Sequence, residues 1–493
     1  MTERFPGRLL DLLERAGART VFEHDGRAVS GAELLGTVRR VTGALRTHGV
    51  GPGHGVGMLL GVSPEAFAVI VAAHVLGARV VGVRPGLSAR QRRHVLAETD
   101  FLIADGSYDA ASFPGRPGTV LALGDLLKAD DDGIPPVPRA RPQDVARLLH
   151  TSGSTGLPKA CVQTYGALTA AWALRPEDWP PAIGELATRL GRFLVFGTLA
   201  SQVMMEYGLL TLAAGGTLVT AERPDLADSI EHHRATASVA TVARLTQLTA
   251  RQRTSPADLR SLRALMVSGS PLEPGRIGEA LDVLGPVVFH GYGQTETGMI
   301  SMATPRDVPG SLGVPPVDLE VRDASGRPLP AGTQGELFVR TPGQCAGYWR
   351  EPGLTAEVFA DGWVRTRDLG RLDAEGRLWL VGRARDVIIV NANLYYAGPV
   401  ERLLATHRSV AEAYVVGVPD DDTGEAVHAF VVPAPGHVPD LAELRALVAA
   451  HLEEASAPTR LTLIEEVPLT PGGKPDKKRL VSEGIQAAGT PGS

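Results

Sequence analysis

Hydrophobic and polar positions follow two rhythms along this chain. Leu9 to Ala16 and Ala32 to Thr47 repeat apolar residues at helical spacing, the second behind Ser30-Gly31, which supplies a start. The apolar runs GVGMLLG from Gly55 and ARVVGVRP from Ala78 enclose an Ala/Val-rich helical stretch, and strand, helix, strand at this spacing predicts a βαβ unit in a parallel sheet. Phe193 to Thr220 again reads strand, helix, strand, and SVATVARL and LRALMVSGSPL each give a β-rich run followed by a turn. Arg147 to about Met302 is therefore expected to be doubly wound α/β. Pro-rich Gly115 to Pro142, with the acidic run Asp130 to Asp132, reads as a loop, and Trp172 to Pro181 carries no assignable rhythm.

From Gly313 the pattern changes to short alternating runs. Ala324-Ser325-Gly326-Arg327 and Ala374-Glu375-Gly376 separate them, which predicts antiparallel hairpins. Beyond Asp386, a helix from about Pro399, strands at AYVVGVP and AVHAFVVP and a helix from Asp440 suggest a small α+β domain. The last ten residues, GIQAAGTPGS, are expected to be disordered, and no internal repeat is present.

Composition narrows the classes. A length of 493 residues favours two or three domains, and a formal charge of −6 offers no global basic field for nucleic acid. Two cysteines, Cys161 and Cys345, exclude a disulfide scaffold and fit a reducing compartment. The N-terminus has charges spread through it, unlike a signal peptide, and the longest apolar stretch, Ala66 to Val83, is broken by His74, Gly77 and Arg79. A soluble cytoplasmic protein with no membrane or nucleic-acid partner is expected. Lysine is confined to Lys128, Lys159, Lys474, Lys477 and Lys478, so each is a candidate for a task that needs a compact ammonium.

One stretch concentrates chemistry. In LLHTSGSTGLPKA, Thr151, Ser152, Ser154 and Thr155 offer hydroxyls, Gly153 and Gly156 let consecutive backbone amides approach an anion, and Lys159 adds charge: the parts of a polyphosphate cradle. It is not a Walker A loop, because Pro158 precedes Lys159 and Ala160 follows it. Alone, it could be a polar surface turn. GYGQTETG, from Gly291 to Gly298, offers the Tyr292 ring to a base, the Thr295 hydroxyl to phosphate and the Glu296 carboxylate to Mg²⁺. Taken singly, it equally describes a strand end before a helix-starting Thr.

Both motifs, followed in order by Gly335-Glu336, Gly347-Tyr348-Trp349, TRDLG around Asp368, GRARD from Gly382 and PLTPGGKPDKKRL, resemble the adenylate-forming superfamily of acyl- and aryl-CoA synthetases, peptide-synthetase adenylation domains and luciferases. The resemblance implies a large N-terminal domain, 1–383, of doubly wound sheets plus a small β-barrel-like part. It implies a small mobile α+β domain over 384–484, with 485–493 as a disordered tail. It also implies that a carboxylate attacks the α-phosphate of ATP, giving an acyl-adenylate and pyrophosphate. By position, Thr151, Ser152, Gly153, Ser154, Thr155, Gly156 and Lys159 would hold the β- and γ-phosphates, Tyr292 would stack on adenine and Thr295 would contact the α-phosphate. Glu296 would bind Mg²⁺, and Asp368 with Arg383 would hold the ribose. Lys474 would bridge ATP and the attacking carboxylate, and Arg385 would be the hinge between domains.

Departures from the family pattern affect the second step more than the first. Ala392 stands where acyl-CoA synthetases usually have a glycine lining the pantetheine tunnel; Ala397 replaces a common proline and Pro399 a common glutamate. Arg367 replaces the glycine usual before the ribose-binding aspartate, and Ala160 and Tyr165 replace a glycine and a histidine. The acid pocket is expected from Ser201, Gln202, Met204 and Met205 on one side and Ser268, Gly269, Ser270, His290 and Gly291 on the other, although a methionine in such a stretch is more often a core residue than a ligand contact. No aspartate stands where amino-acid-activating domains anchor the α-amino group. The leading expectation is an ATP- and Mg²⁺-dependent ligase adenylating a small aryl or acyl acid for CoA or a carrier-protein thiol. The alternatives are an amine acceptor, including nitrite activation to diazotise an aryl amine, and a non-catalytic nucleotide-binding relative.

Overall fold

The computed structural model describes residues 3–488 apart from 84–86, 88, 107–117, 152–157, 200, 222, 224, 270–271, 273, 384–386, 391–392, 421–422, 453 and 471–474. The chain begins as its spacing predicts, with helices Gly7–Ala16 and Gly31–Thr47. Ser30 starts the second through a capping box: its hydroxyl accepts from the Glu33 N–H, and the Glu33 carboxylate accepts from the Ser30 N–H at 2.7 Å.

Two sheets carry the large domain. A six-stranded sheet runs Thr119–Ala122, Phe101–Ala104, Gly55–Leu59, Arg79–Gly82, Val145–Thr151, Lys159–Thr164, parallel until the final antiparallel pair. An eight-stranded sheet is parallel through its centre, Val288–Gln294, Ala264–Ser268, Ala237–Thr241, Arg192–Val195, Thr217–Thr220 and Thr20–His24, with an antiparallel strand at each end. Helices Pro64–Val75 and Gln202–Ala213 lack a polar stripe, and most of their residues are buried. They belong to one apolar core that also takes Met58 and Val80 from the first sheet and Phe193 and Phe289 from the second.

Gly115 to Pro142 is not all loop. Thr119–Ala122 pairs in parallel with Phe101–Ala104, and Leu123–Lys128 is a helix with Leu123 and Leu126 buried; both are too short for periodicity to reveal. Trp172 to Pro181 forms two 3₁₀ turns leading into the helix Pro181–Ala187.

The hairpins after Gly313 form an antiparallel sheet of Asp318–Arg322, Gly335–Arg340, Phe359–Ala360, Trp363–Leu372 and Leu378–Arg383. Its two turns share one chemistry. The Asp323 carboxylate accepts from the N–H groups of Ser325 and Arg327, Asp373 does the same for Glu375 and Arg377, and Gly326 and Gly376 take φ of 82° and 77°. The C-terminal part is α+β as expected: a five-stranded sheet with helices Ala397–Leu404 and Leu441–His451 around a separate core. The helix Lys477–Ala488 extends into the stretch read as a tail, because Lys477 pairs with Glu401 at 2.7 Å and Leu480 is buried against Val416 and Phe430. Among the described residues no helix is long and apolar enough to cross a membrane.

Candidate active site

Strands Val145–Thr151 and Lys159–Thr164 form a hairpin whose register sets Thr151 opposite Lys159, so the two ends of the glycine-rich loop are fixed on a sheet edge. Ser152 to Gly156 lie outside the described residues. The segment after Gln344 runs along the second strand: Ala346 donates to the Val162 carbonyl at 2.8 Å, Val162 to Gly347 at 2.9 Å and Trp349 to Ala160 at 2.8 Å. Gly347 is required there, since a Cβ would come within 2.5 Å of Thr355. Tyr348 is thereby set beside Lys159, whose ammonium lies 5.8 Å from the ring centroid, and its hydroxyl donates to Glu296 Oε1 at 2.7 Å. The Cys345 N–H holds the Glu296 carbonyl at 2.8 Å. Lys159 and Glu296, 137 positions apart in the chain, thus meet across one tyrosine. Burial, then the Glu296 charge, push the Tyr348 hydroxyl's pKa up, so it stays a donor.

The strand Val288–Gln294 supplies the other half. Tyr292 donates to Asp368 Oδ2 at 2.7 Å, and Gln294 Nε2 donates to the same oxygen at 2.6 Å and to the Thr366 carbonyl at 2.9 Å. Asp368 is only 6% exposed, so these bonds fix its carboxylate in one orientation. The antiparallel register places Arg383 opposite Asp368. Gly293 is needed for the turn, as a Cβ there would stand 2.4 Å from the Gly298 carbonyl. Arg367 has φ of 59°, the left-handed backbone that a glycine adopts freely, and it is tied by an ion pair to Glu357 at 2.6 Å. Thr295 adjoins Glu296, half-buried, with its carbonyl accepting from Cys345 Sγ at 3.3 Å.

Gly291 faces Tyr207, Ser268 and Met302. A Cβ there would meet Tyr207 Oη at 3.6 Å and Ser268 Cβ and Met302 Cε at 3.9 Å each. Gln202 opens the helix Gln202–Ala213, with Ser201 before it as an N-cap whose side chain makes no capping bond, and Gln202 Nε2 lies 3.9 Å from a Cβ placed on Gly298. Gly269 follows Ser268 with φ of 96°. Met204 and Met205 pack in the main core, and His290 is buried within its strand. Ser270, Arg385, Ala392, Lys474 and the side chain of Arg383 lie outside the described residues. Gln294, Tyr348 and Tyr207 were not singled out by sequence reasoning. The first two sit inside quoted motifs, where an amide and a phenol next to a carboxylate were the available signal; Tyr207 carried none.

A family profile described as AMP-binding enzyme matches residues 12–349, and one described as AMP-binding enzyme C-terminal domain matches 399–474. The chain is 31% identical over 475 residues to a fatty acid–[acyl-carrier-protein] ligase, ScoC, of Streptomyces coeruleorubidus, covering 91% of this chain and 90% of that one. It is 32% identical to an indoleacetate–CoA ligase of Aromatoleum aromaticum, covering 92% and 93%. The solved amide bond synthetase McbA of Marinactinospora thermotolerans superposes with a TM-score of 0.86 at 34% identity, over 97% of this chain and 99% of that one. Since the first profile spans more than half of the chain, including Lys159 and Glu296, and the second falls on the C-terminal part, the chain is an ATP-dependent, AMP-forming ligase and belongs to the AMP-binding enzyme family.

Proposed function

We propose that this enzyme adenylates an aryl carboxylic acid and passes the acyl group to an amine. One observation carries the acid: Gly291, which has no side chain of its own, faces Tyr207, Ser268 and Met302, and Tyr207 packs edge-on against Trp172 with ring centroids 6.2 Å apart. Flat, aromatic, partly polar walls suit a planar acid better than a flexible chain.

In this reading the loop ending at Lys159 holds the terminal phosphates, Asp368 receives the ribose, and the ring of Tyr292 lies against the base. Glu296 would hold Mg²⁺, since a carboxylate oxygen is the hard ligand that ion takes, and the bound ion would offset the charge of the phosphates. The acid's carboxylate oxygen attacks the α-phosphorus and pyrophosphate leaves. Lys474 neutralises charge developing between the two reactants, and Thr295 orients the α-phosphate. The amine then attacks the acyl carbon, AMP leaves and the amine's proton goes to solvent.

Ala392 supports the acceptor: the acyl-CoA synthetases this chain resembles usually have a glycine at that position, lining the pantetheine tunnel, and an alanine there suits a compact amine better than a pantetheine arm. Similarity along nearly the whole chain to the amide bond synthetase agrees with it. A thiol acceptor is the second reading, favoured by the similarity to ligases named for acyl-carrier protein and for CoA. The test is mass spectrometry of products from ATP, Mg²⁺ and aryl acids with an amine or with CoA. Amide formation supports the proposal; thioester with no amide refutes the acceptor assignment.

A further inference from the structure

We infer that Arg147, Gln163 and Glu206 form a polar subsite deep in the acid cleft that takes the far end of an aryl acid bearing an N–H hydrogen-bond donor, such as an amino-substituted or NH-heteroaromatic carboxylic acid. The inference rests on the aryl-acid reading above and extends it.

Arg147 and Gln163 are directly paired across the hairpin Val145–Thr151 and Lys159–Thr164, so their side chains share one face of the sheet, with Cβ atoms about 5 Å apart. Glu206 lies one helical turn beyond Gln202 and next to Tyr207, both of which border the cleft. Glu206 and Arg147 lie close enough for each to feel the other's charge. Yet they form no ion pair within 4 Å, and among the described residues neither side chain has a hydrogen-bond partner. Gln163 is 4% exposed with no partner for its Oε1, and the hydroxyl of Tyr207, itself 6% exposed, has none either.

Leaving such groups unpaired costs stability unless something else satisfies them. Arg147 and Glu206 keep some exposed surface although both charges are strongly desolvated, so a ligand can still reach them. Burial pushes the Glu206 carboxyl up to about 7 and Arg147 down to about 10, which leaves a fixed cation facing a carboxyl that a donor would draw into its charged form. His74, the other titratable ring near Arg147, is driven down to about 3 by burial and stays neutral against the Tyr165 hydroxyl at 3.2 Å. Arg147 stands four strand positions before Thr151, about 13 Å, so the subsite meets the distal end of the acid and not its reacting carboxylate. A ring substituent with an N–H donates to Glu206, and its lone pair or a neighbouring acceptor meets Arg147.

The experiment measures acid-dependent pyrophosphate release by the full chain for a matched pair, 6-amino-2-naphthoate and 2-naphthoate, in wild type, Glu206→Gln, Glu206→Leu and Arg147→Met. The expected result is a preference for the amino compound of about tenfold or more in kcat/KM, lost in Glu206→Leu and reduced in the isosteric Glu206→Gln, with 2-naphthoate turnover retained. Arg147→Met reports on the same preference if Glu206→Leu does not fold. Equal loss on both acids, or a preference that survives Glu206→Leu, overturns the subsite and leaves the aryl-acid reading standing. Release with neither acid overturns both.

Discussion

The proposed nucleotide half of the site and the proposed acid cleft are built on opposite rules. Around the nucleotide, the carboxylates are already engaged: Asp368 accepts from Tyr292 and Gln294, and Glu296 accepts from Tyr348. In the cleft, Arg147, Glu206 and the Tyr207 hydroxyl have no hydrogen-bond partner among the described residues. ATP is the same in every reaction of this type, so its groups can be positioned in advance by the protein. The acid differs from enzyme to enzyme, and a cleft that leaves polar groups for the ligand to satisfy discriminates by what an ill-matched acid leaves unpaired.

That contrast can be broken from either side. The largest effect is expected from Asp368→Ala, which removes the carboxylate proposed to receive the ribose and strands the donors of Tyr292 and Gln294; kcat/KM for ATP should fall about 10²- to 10³-fold, equally for every acid. A loss confined to certain acids would contradict the division. Tyr348→Phe removes one hydrogen bond to Glu296, worth about 1.5–3 kcal/mol for a charged acceptor, so activity should drop about tenfold or more and the Mg²⁺ concentration for half-maximal rate should rise. An unchanged Mg²⁺ titration would remove Tyr348 from the metal's support. On the acid side, Gly291→Val should raise KM for aryl acids about tenfold and leave KM for ATP unaltered, because the new methyls point toward Tyr207 and Ser268; parallel changes in both would deny the cleft its role.

The smallest effect is in stability. Glu206 is raised to about 7 from an ordinary 4.5, so between those values the folded chain keeps a proton that the unfolded chain has lost. Its contribution is complete below the lower value and disappears as pH rises through the upper one. The melting temperature of wild type relative to Glu206→Gln should therefore decline between about pH 5 and pH 8. A flat difference would mean that Glu206 is not desolvated.

The same contrast explains what the sequence revealed. Order and spacing of short motifs revealed the family and pointed to the proposed nucleotide site, because phosphate, ribose and metal demand glycines, hydroxyls and carboxylates at fixed points of the chain. Tyr348 and Gln294 support those points from within the motifs, but a supporting hydrogen bond leaves no rhythm of its own. The cleft was harder: Arg147 and Glu206 each read as an ordinary polar residue in an apolar segment, and only the packing of helix Gln202–Ala213 against the sheets brings them together. Fold was legible where βαβ periodicity or Asp-x-x-Gly-Arg turns recurred. It was missed at Thr119–Ala122 and Leu123–Lys128, where pairing with Phe101–Ala104 and burial of Leu123 and Leu126 decide the structure of segments too short to show a period.

The most direct test of the account is exchange of labelled pyrophosphate into ATP, measured with Mg²⁺ and a panel of aryl, fatty and amino acids in the absence of any acceptor. The account predicts exchange driven by aryl acids alone, because the adenylate forms before an acceptor is needed. Exchange driven only by fatty or amino acids, or none until an acceptor is added, would contradict it.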